Sequence, residues 1–328
     1  MQRRRLLKSG LLLTGAAAAG SLAPASGFAR PGRTAPEFTG IVGWINTAPP
    51  ISLARLRGKV VLVNFWTYSC INCRRTIPYL KRWQSEYGNL GLQIIGIHTP
   101  EFAFEHDRTN VGIYVRQTGI AYPVGQDNDL GTWDAWDNEA WPGFYVLDRD
   151  GRVVLVCEGE DHAHEMEGAI RGLLGLTRTG RFGHPGDDPD LSRIGSPEMY
   201  FGSIHPTPQD DRQSPRLGEV DYSFVGTASP RLNEYQLNGV WSRDGEPLVL
   251  RSSRGALRLL FSAAKLHLVA TAPEAATVRI RADGREMPNV KISWPTLYTL
   301  VDGETYSEHL LELEADTPGL ALFSVTFG

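Results

Sequence analysis

Residues 59–66 read KVVLVNFW, a valine-rich apolar run expected of a strand buried on both faces. Such a strand needs cover above and below, which points to helices packed on a sheet. The next hundred residues agree. Leu80, Trp83 and Tyr87 recur at helical spacing, and Gly88 closes that helix. LQIIGIH (92–98) reads as a second buried strand and 109–118 as a helix. FYVLDRDGRVVLV (144–156) reads as a hairpin, with Asp148-Arg149-Asp150-Gly151 as its turn. A last amphipathic helix sets Met166, Ile170 and Leu173 or Leu174 on one face. Strand, helix, strand, helix, hairpin, helix describes an α/β domain.

From Thr177 to about Leu217, Pro, Gly, Asp and Ser dominate with little periodicity, as in a linker or an extended wrapping segment. Beyond it, period-two alternation takes over in KLHLVA (265–270), TVRIRADG (277–284), HLLELE (309–314) and LFSVTFG (322–328). Short strands with almost no helix signal indicate an all-β sandwich. No internal repeat is visible. The expected division is a leader over 1–29, an α/β domain over 33–178, a linker or wrapping segment over 179–216 and a β-sandwich over 217–328.

The leader carries Arg3, Arg4, Arg5 and Lys8, then a mild Leu/Ala/Gly stretch and small-residue cleavage options after Ala25 or Ala29. Arg3-Arg4-Arg5-Leu6-Leu7-Lys8 resembles a twin-arginine export signal. The stretch is too short and glycine-rich for a spanning helix of about 20 residues. No cysteine lies near the cleavage region, so no lipid anchor is expected. The chain has a net charge of −4 and its leader holds four basic and no acidic residues, so the exported part is more acidic still. An acidic surface argues against nucleic-acid binding, which requires basic patches. A periplasmic or other extracytoplasmic location follows, where disulfides persist.

There are three cysteines. Cys70 and Cys73 stand two residues apart where the apolar run turns into helix, and Cys157 is left over as a buried thiol in VVLVC. The CxxC spacing admits a redox pair, an inert structural bridge or half a metal site. A helix N-terminus presents unpaired N–H groups and partial positive charge, which favour a thiolate and make the first cysteine a nucleophile. Cys73, one turn on, faces the same side and can resolve a mixed disulfide. Arg74 and Arg75 add positive charge or are simply solvated. Pro78 sits inside the helix, where proline ordinarily costs about 3 kcal/mol.

Together, APEF (35–38), RLRGKVVLVNFW (55–66), the CxxC pair and WPGFYVLDRDG (141–151) resemble the TlpA/ResA-like branch of exported thioredoxins. FWTYSCINC, HTPEFAFEH (98–106), YPVGQDND (122–129), SPEMYFG (196–202) and the terminal VTFG narrow it to the C-terminal half of DipZ-type thiol–disulfide proteins. The resemblance spans nearly all of 35–328. It implies a thioredoxin fold followed by a carbohydrate-binding-module-like sandwich, and a helix kinked at Pro78. It also implies a cis Trp141–Pro142 bond against the cysteines, leaving backbone there to pair with an extended substrate peptide. Trp66 and Tyr68 would wall the site. The redox-active Cys70–Cys73 disulfide would need no organic cofactor, and protein thiols and disulfides would be the partners. DipZ-type proteins carry an electron-conducting membrane domain ahead of this region. An export leader stands there in this chain, so a separate membrane donor of CcdA type would supply electrons. Ordinary thioredoxins keep a buried aspartate where this chain has Asn64, which cannot titrate. In the ResA-like branch a glutamate takes the proton instead, and Glu101 is preferred over Glu105, against solvated surface roles for both. His98 is read as a surface histidine.

Thr67 precedes Cys70 by three, as in the peroxidatic PxxxTxxC motif, but the required proline is Val63. Zinc normally takes four Cys/His ligands, whereas only His162-Ala163-His164 clusters here, read as helix-capping surface. No metal site is therefore expected. Alternatively the chain is a glycan- or protein-binding module with a structural CxxC, in which Trp241, Trp294, Tyr298 and Tyr306 stack on sugars. The sequence favours thiol–disulfide exchange, and the uncharged Ile71-Asn72 between the cysteines favours a reductant.

Overall fold

The structure, a computed structural model, describes residues 31–177, 189–204, 207–213 and 215–328. The leader expected over 1–29 and residues 178–188 lie outside the described residues. The chain forms two compact units, the first ending at Asp187 and the second beginning at Asp188.

The first unit runs β1 (Gly43–Ile45), β2 (Val60–Trp66), α1 (Ile71–Tyr87), β3 (Leu92–His98), α2 (Arg108–Thr118), β4 (Val124–Gln126), α3 (Gly131–Ala135), β5 (Gly143–Leu147), β6 (Val153–Glu158) and α4 (Ala163–Leu173). The strands form one sheet in the order β1-β4-β3-β2-β5-β6. β2, β3 and β4 are parallel, while β5, β6 and β1 run against their neighbours. β2 is central, and all seven of its residues are buried. Val61, Val63 and Phe65 join Ile95, Ile97, Trp133, Trp136 and Tyr145 in one core. Alternate residues point to the opposite face, which carries Val60, Leu62 and Trp66, also buried. Burying each such aliphatic side chain stabilises the fold by ~1.5–3 kcal/mol.

α1 buries Cys73, Ile77, Leu80, Trp83 and Tyr87, an apolar stripe at three- and four-residue spacing, and Pro78 lies within it. In the β5–β6 hairpin Asp148 Oδ1 accepts from the Asp150 and Arg152 N–H groups. Gly151 takes a φ of +70° there, a conformation that favours glycine.

The second unit contains β7 (Met199–Tyr200), β8 (Gly218–Tyr222), β9 (Tyr235–Arg243), β10 (Leu248–Leu250), β11 (Gly255–Thr271), β12 (Ala276–Ala282), β13 (Arg285–Ile292), β14 (Thr296–Ala315) and β15 (Ala321–Phe327). β12 alternates buried and exposed residues, the period-two signature of a sheet with one face on a core. β11 pairs with β14 along most of its length, with register breaks at Ala263/Lys265 and Leu266/His267. Its first half also pairs with β9 and its second half with β15. Since β10 joins β15 to β9, the pairings β11-β15-β10-β9-β11 close on themselves. The sheet is thus wrapped around a single core that includes Trp241, Leu257, Phe261, Leu268, Leu313 and Phe327. Pro288 falls in β13, the edge strand, where a missing N–H breaks no internal ladder. Met199 and Tyr200 pair with β15 and Phe201 is fully buried against Tyr235, so this part of the stretch read as linker or wrapping segment belongs to the second unit.

Candidate active site

β2 delivers the chain to the turn Thr67-Tyr68-Ser69, and Cys70 is the residue capping the start of α1, with extended backbone (φ −80°, ψ 122°). Cys70 is half-buried and Cys73, one turn further, is buried. The two sulfurs are unlinked thiols. Cys73 is held well above the ordinary thiol range by burial first, then by its hydrogen-bonded neighbour Cys70, with the charge of Glu101 adding to the shift. Opposite Cys70 lies the Trp141–Pro142 peptide, which is cis. The Cys70 Sγ is 4.0 Å from the Trp141 carbonyl oxygen. The Trp141 ring turns inward, donating from Nε1 to the Thr99 carbonyl at 3.1 Å and packing on Trp133. Gly143 is required beside it, because a Cβ there would collide with Asn138 Oδ1.

Trp66 and Tyr68, expected to wall the site, are fully buried beneath it. The Tyr68 ring stacks on His98 and Tyr114, and Trp66 meets His98 edge-on. Burial against this floor raises the Tyr68 hydroxyl pKa. His98 is therefore not a surface histidine. It is fully buried, 3.5 Å from Thr67 Oγ1, and burial lowers its pKa to about 3, so it stays neutral. Asn64 is buried, its amide donating to the Phe65 carbonyl at 3.2 Å and the Gly143 carbonyl at 3.4 Å. It holds the sheet at the cis-peptide edge without a titratable proton.

The two glutamates separate cleanly. Glu101 is half-buried. Glu105 is 0% exposed and is not the solvated carboxylate that one reading allowed. Its Oε1 accepts from the Ser69 N–H (3.2 Å) and hydroxyl (2.6 Å), and its Oε2 from the Glu101 (2.6 Å) and Phe102 (3.0 Å) N–H groups. Burial raises its pKa, and these bonds oppose the rise. On the other side of the same turn, Arg74 donates Nε–H to the Tyr68 carbonyl at 2.8 Å with its guanidinium over Tyr114. A buried carboxyl group and a largely buried guanidinium thus grip consecutive residues ahead of the half-buried thiol. Arg75, read as a nearby or solvated charge, pairs with buried Glu160 at 3.0 Å.

Cys157 is buried, and burial followed by the Glu165 charge pushes its thiol up to about 12. His162 heads α4 and makes no capping bond through its side chain. In the second unit Trp241 is buried and donates Nε1–H to the Asn238 carbonyl, so it offers no stacking face. Tyr306 is covered by Arg193, 4.6 Å from its ring centre, whereas Trp294, on the turn before β14, and Tyr298, near the start of β14, are half-buried. No helix among the described residues is long and apolar enough to cross a membrane.

Comparison with known proteins agrees with this arrangement. Residues 31–156 match the AhpC/TSA family and residues 196–328 the family described as Thioredoxin like C-terminal domain. Protein DipZ of Mycobacterium tuberculosis is 34% identical over 302 residues, covering 90% of this chain and 43% of DipZ. The chain thus spans less than half the length of that relative. Thiol-disulfide oxidoreductase ResA of Bacillus thuringiensis is 29% identical over 144 residues, 43% of this chain and 76% of ResA. Thiol-disulfide oxidoreductase YkuV of Bacillus subtilis is 29% identical over 143 residues, 43% of this chain and 95% of YkuV. With its central β2, the Cys70–Cys73 pair at the head of α1 and an all-β unit behind, the chain is a TlpA/ResA-like thioredoxin-fold protein related to DipZ.

Proposed function

We propose that this chain is an exported thiol–disulfide oxidoreductase acting on protein substrates, as a reductant. The carrying observation is a half-buried Cys70 backed by a buried Cys73 and faced at 4.0 Å by the Trp141 carbonyl. A substrate strand pairing along that carbonyl would bring its disulfide to Cys70. The Cys70 thiolate attacks one substrate sulfur, forming a mixed disulfide, and the other substrate sulfur leaves as a thiolate that takes up a proton. Cys73 gives its proton to Glu101 and attacks Cys70 Sγ. This forms the Cys70–Cys73 bond and releases the second substrate thiol, so the substrate gains two electrons and two protons. The influence of Glu101 on the Cys73 thiol supports its role as acceptor. A separate membrane protein of CcdA type would reduce the pair again. The half-buried Trp294 and Tyr298 are the aromatic faces to which a glycan would bind.

An equilibrium redox titration of the protein lacking 1–29 and carrying Cys157→Ser tests the reading. Thiol alkylation reports the state of Cys70 and Cys73. Reversible two-electron behaviour is expected, with a potential of about −270 mV for a reductant and about −120 mV for an oxidant. A pair that stays locked under buffers that reduce thioredoxin would make the bridge structural and sink the proposal. In parallel, Cys73→Ser should accumulate mixed disulfides that Cys70→Ser does not.

A further inference from the structure

We infer that Cys157, His162 and Glu165 form a binding site for a zinc-class divalent cation, separate from the Cys70–Cys73 dithiol. The three come together where β6 ends and α4 begins. Cys157 pairs with Phe144 in the penultimate position of β6, His162 heads α4, and Glu165 follows within its first turn. One donor atom from each lies within 4.8 Å of the other two. His162 Nδ1 lies 3.4 Å from Glu165 Oε2. A tetrahedral zinc with ordinary Zn–N and Zn–O bonds of about 2.0–2.2 Å sets such ligands about 3.4 Å apart. The Cys157 sulfur, within 4.8 Å of both, would come to about 3.6 Å from them on a Zn–S bond of about 2.3 Å.

The donor set selects the metal. A thiolate disfavours magnesium and calcium, which take oxygen ligands, and a carboxylate disfavours copper(I). Sulfur, imidazole and carboxylate together suit zinc, with three protein ligands and a fourth position left for water or a substrate group. The exposed carboxylates beside the site are those of Glu158 and Asp161, which favour the approach of a cation, while Glu160 and Glu167 are buried in ion pairs with Arg75 and Arg82. Cys157 is buried while the His162 and Glu165 side chains are 39% and 59% exposed, so an ion arriving from solvent meets the outer pair first and the sulfur last.

The position gives the site a consequence. The loop between Cys157 and His162 is tied to the dithiol site at two points. The Gly159 N–H donates to the Pro142 carbonyl at 2.8 Å, and Glu160 pairs with Arg75 on the first turns of α1. A bound cation would stiffen the loop that supports both the cis-peptide edge and the helix bearing Cys73. The spacing Cys-x4-His-x2-Glu resembles no paired-cysteine zinc pattern, which is why the sequence alone gave no metal expectation.

Cobalt(II) titration of the Cys70→Ser/Cys73→Ser protein, which removes the other thiol pair, tests the site. Expected are one cobalt per chain, a thiolate-to-cobalt charge-transfer band, the strong visible bands of tetrahedral cobalt, and displacement by zinc. Adding Cys157→Ser should abolish the charge-transfer band. His162→Ala and Glu165→Gln, both on exposed side chains that carry little of the fold, should each weaken cobalt binding at least tenfold. Absence of the band, its survival in the triple cysteine variant, or unchanged affinity in both exposed variants would overturn the assignment. Because the dithiol is already removed, none of these outcomes depends on the redox reading.

Discussion

Glu105 and His98 show how much of the site rests on single buried polar side chains. Each oxygen of Glu105 meets two donors, three of the four being backbone N–H groups. In Glu105→Gln an NH2 replaces one acceptor and faces N–H donors, leaving buried groups unsatisfied at ~1–3 kcal/mol. A matching drop in urea-unfolding free energy is expected, together with a changed alkylation rate at Cys70, because Ser69 is the residue gripped. Unchanged values for both would show the clamp to be idle. His98 sets a pH dependence. An unfolded histidine takes its proton near 6.5, but in the fold it does so only at about 3. Between those values the unfolded chain binds more protons, so stability falls as pH drops through that window. Glu105 acts in the opposite sense. Its raised pKa makes the folded state bind the proton first, a contribution present at low pH and lost as pH rises. His98→Asn should therefore flatten the acid loss of stability between pH 6.5 and 3, measured by urea midpoints at several pH values; an unaltered slope would count against it. Neither residue was legible as buried. In HTPEFAFEH His98 reads as surface and Glu105 as a less-favoured proton acceptor or a solvated carboxylate, because polarity at one position says nothing about which loop folds over it. The helix-start position of Cys70 and Cys73 was legible from their spacing after an apolar run, whereas the cis Trp141–Pro142 bond was legible only through the family resemblance, since an X–Pro step does not by itself fix the cis form.

At the scale of elements, α1 is fastened to the loop after β6 by Arg75 and Glu160, whose side chains are only 12% and 5% exposed. Removing one member of such a pair leaves the other charge buried, which costs far more than removing both. Arg75→Ala should destabilise by about 3–5 kcal/mol, and Arg75→Ala/Glu160→Ala should recover a substantial part of that loss in a double-mutant cycle. Additive effects would mean that the pair is screened by solvent and fastens nothing. Elements whose signal is local were readable in advance. The β5–β6 turn follows from Asp148 and Gly151, and α1 from its apolar stripe. The short β1 and α3 carried no periodicity, and β13 was obscured by Pro288. The register breaks of β11 were also invisible, since they depend on which strands lie beside it.

For the whole molecule, the change from mixed helix and strand periodicity to pure alternation announced two folding units, but not how the second closes. The ring β11-β15-β10-β9 joins residues as far apart as Leu248 and Leu322, and long-range pairing of that kind leaves no mark in a local pattern. What the two cores do reveal is independence. The apolar cluster around β2 is drawn from residues 35–156, and the cluster of the second unit from residues 194–327. A unit of roughly 150 residues buries about 68–70% of its unfolded surface, enough to fold without a partner. The fragment 31–177 should therefore give a cooperative urea transition, and its Cys70–Cys73 pair should titrate at the potential of the full-length protein. The fragment 189–328 should show an all-β circular dichroism spectrum with a transition of its own. If 31–177 is unfolded, its core is incomplete and the two-unit reading fails at the level of stability. A folded fragment with a displaced potential would instead make the β-unit part of the redox device, with its core serving to tune the dithiol.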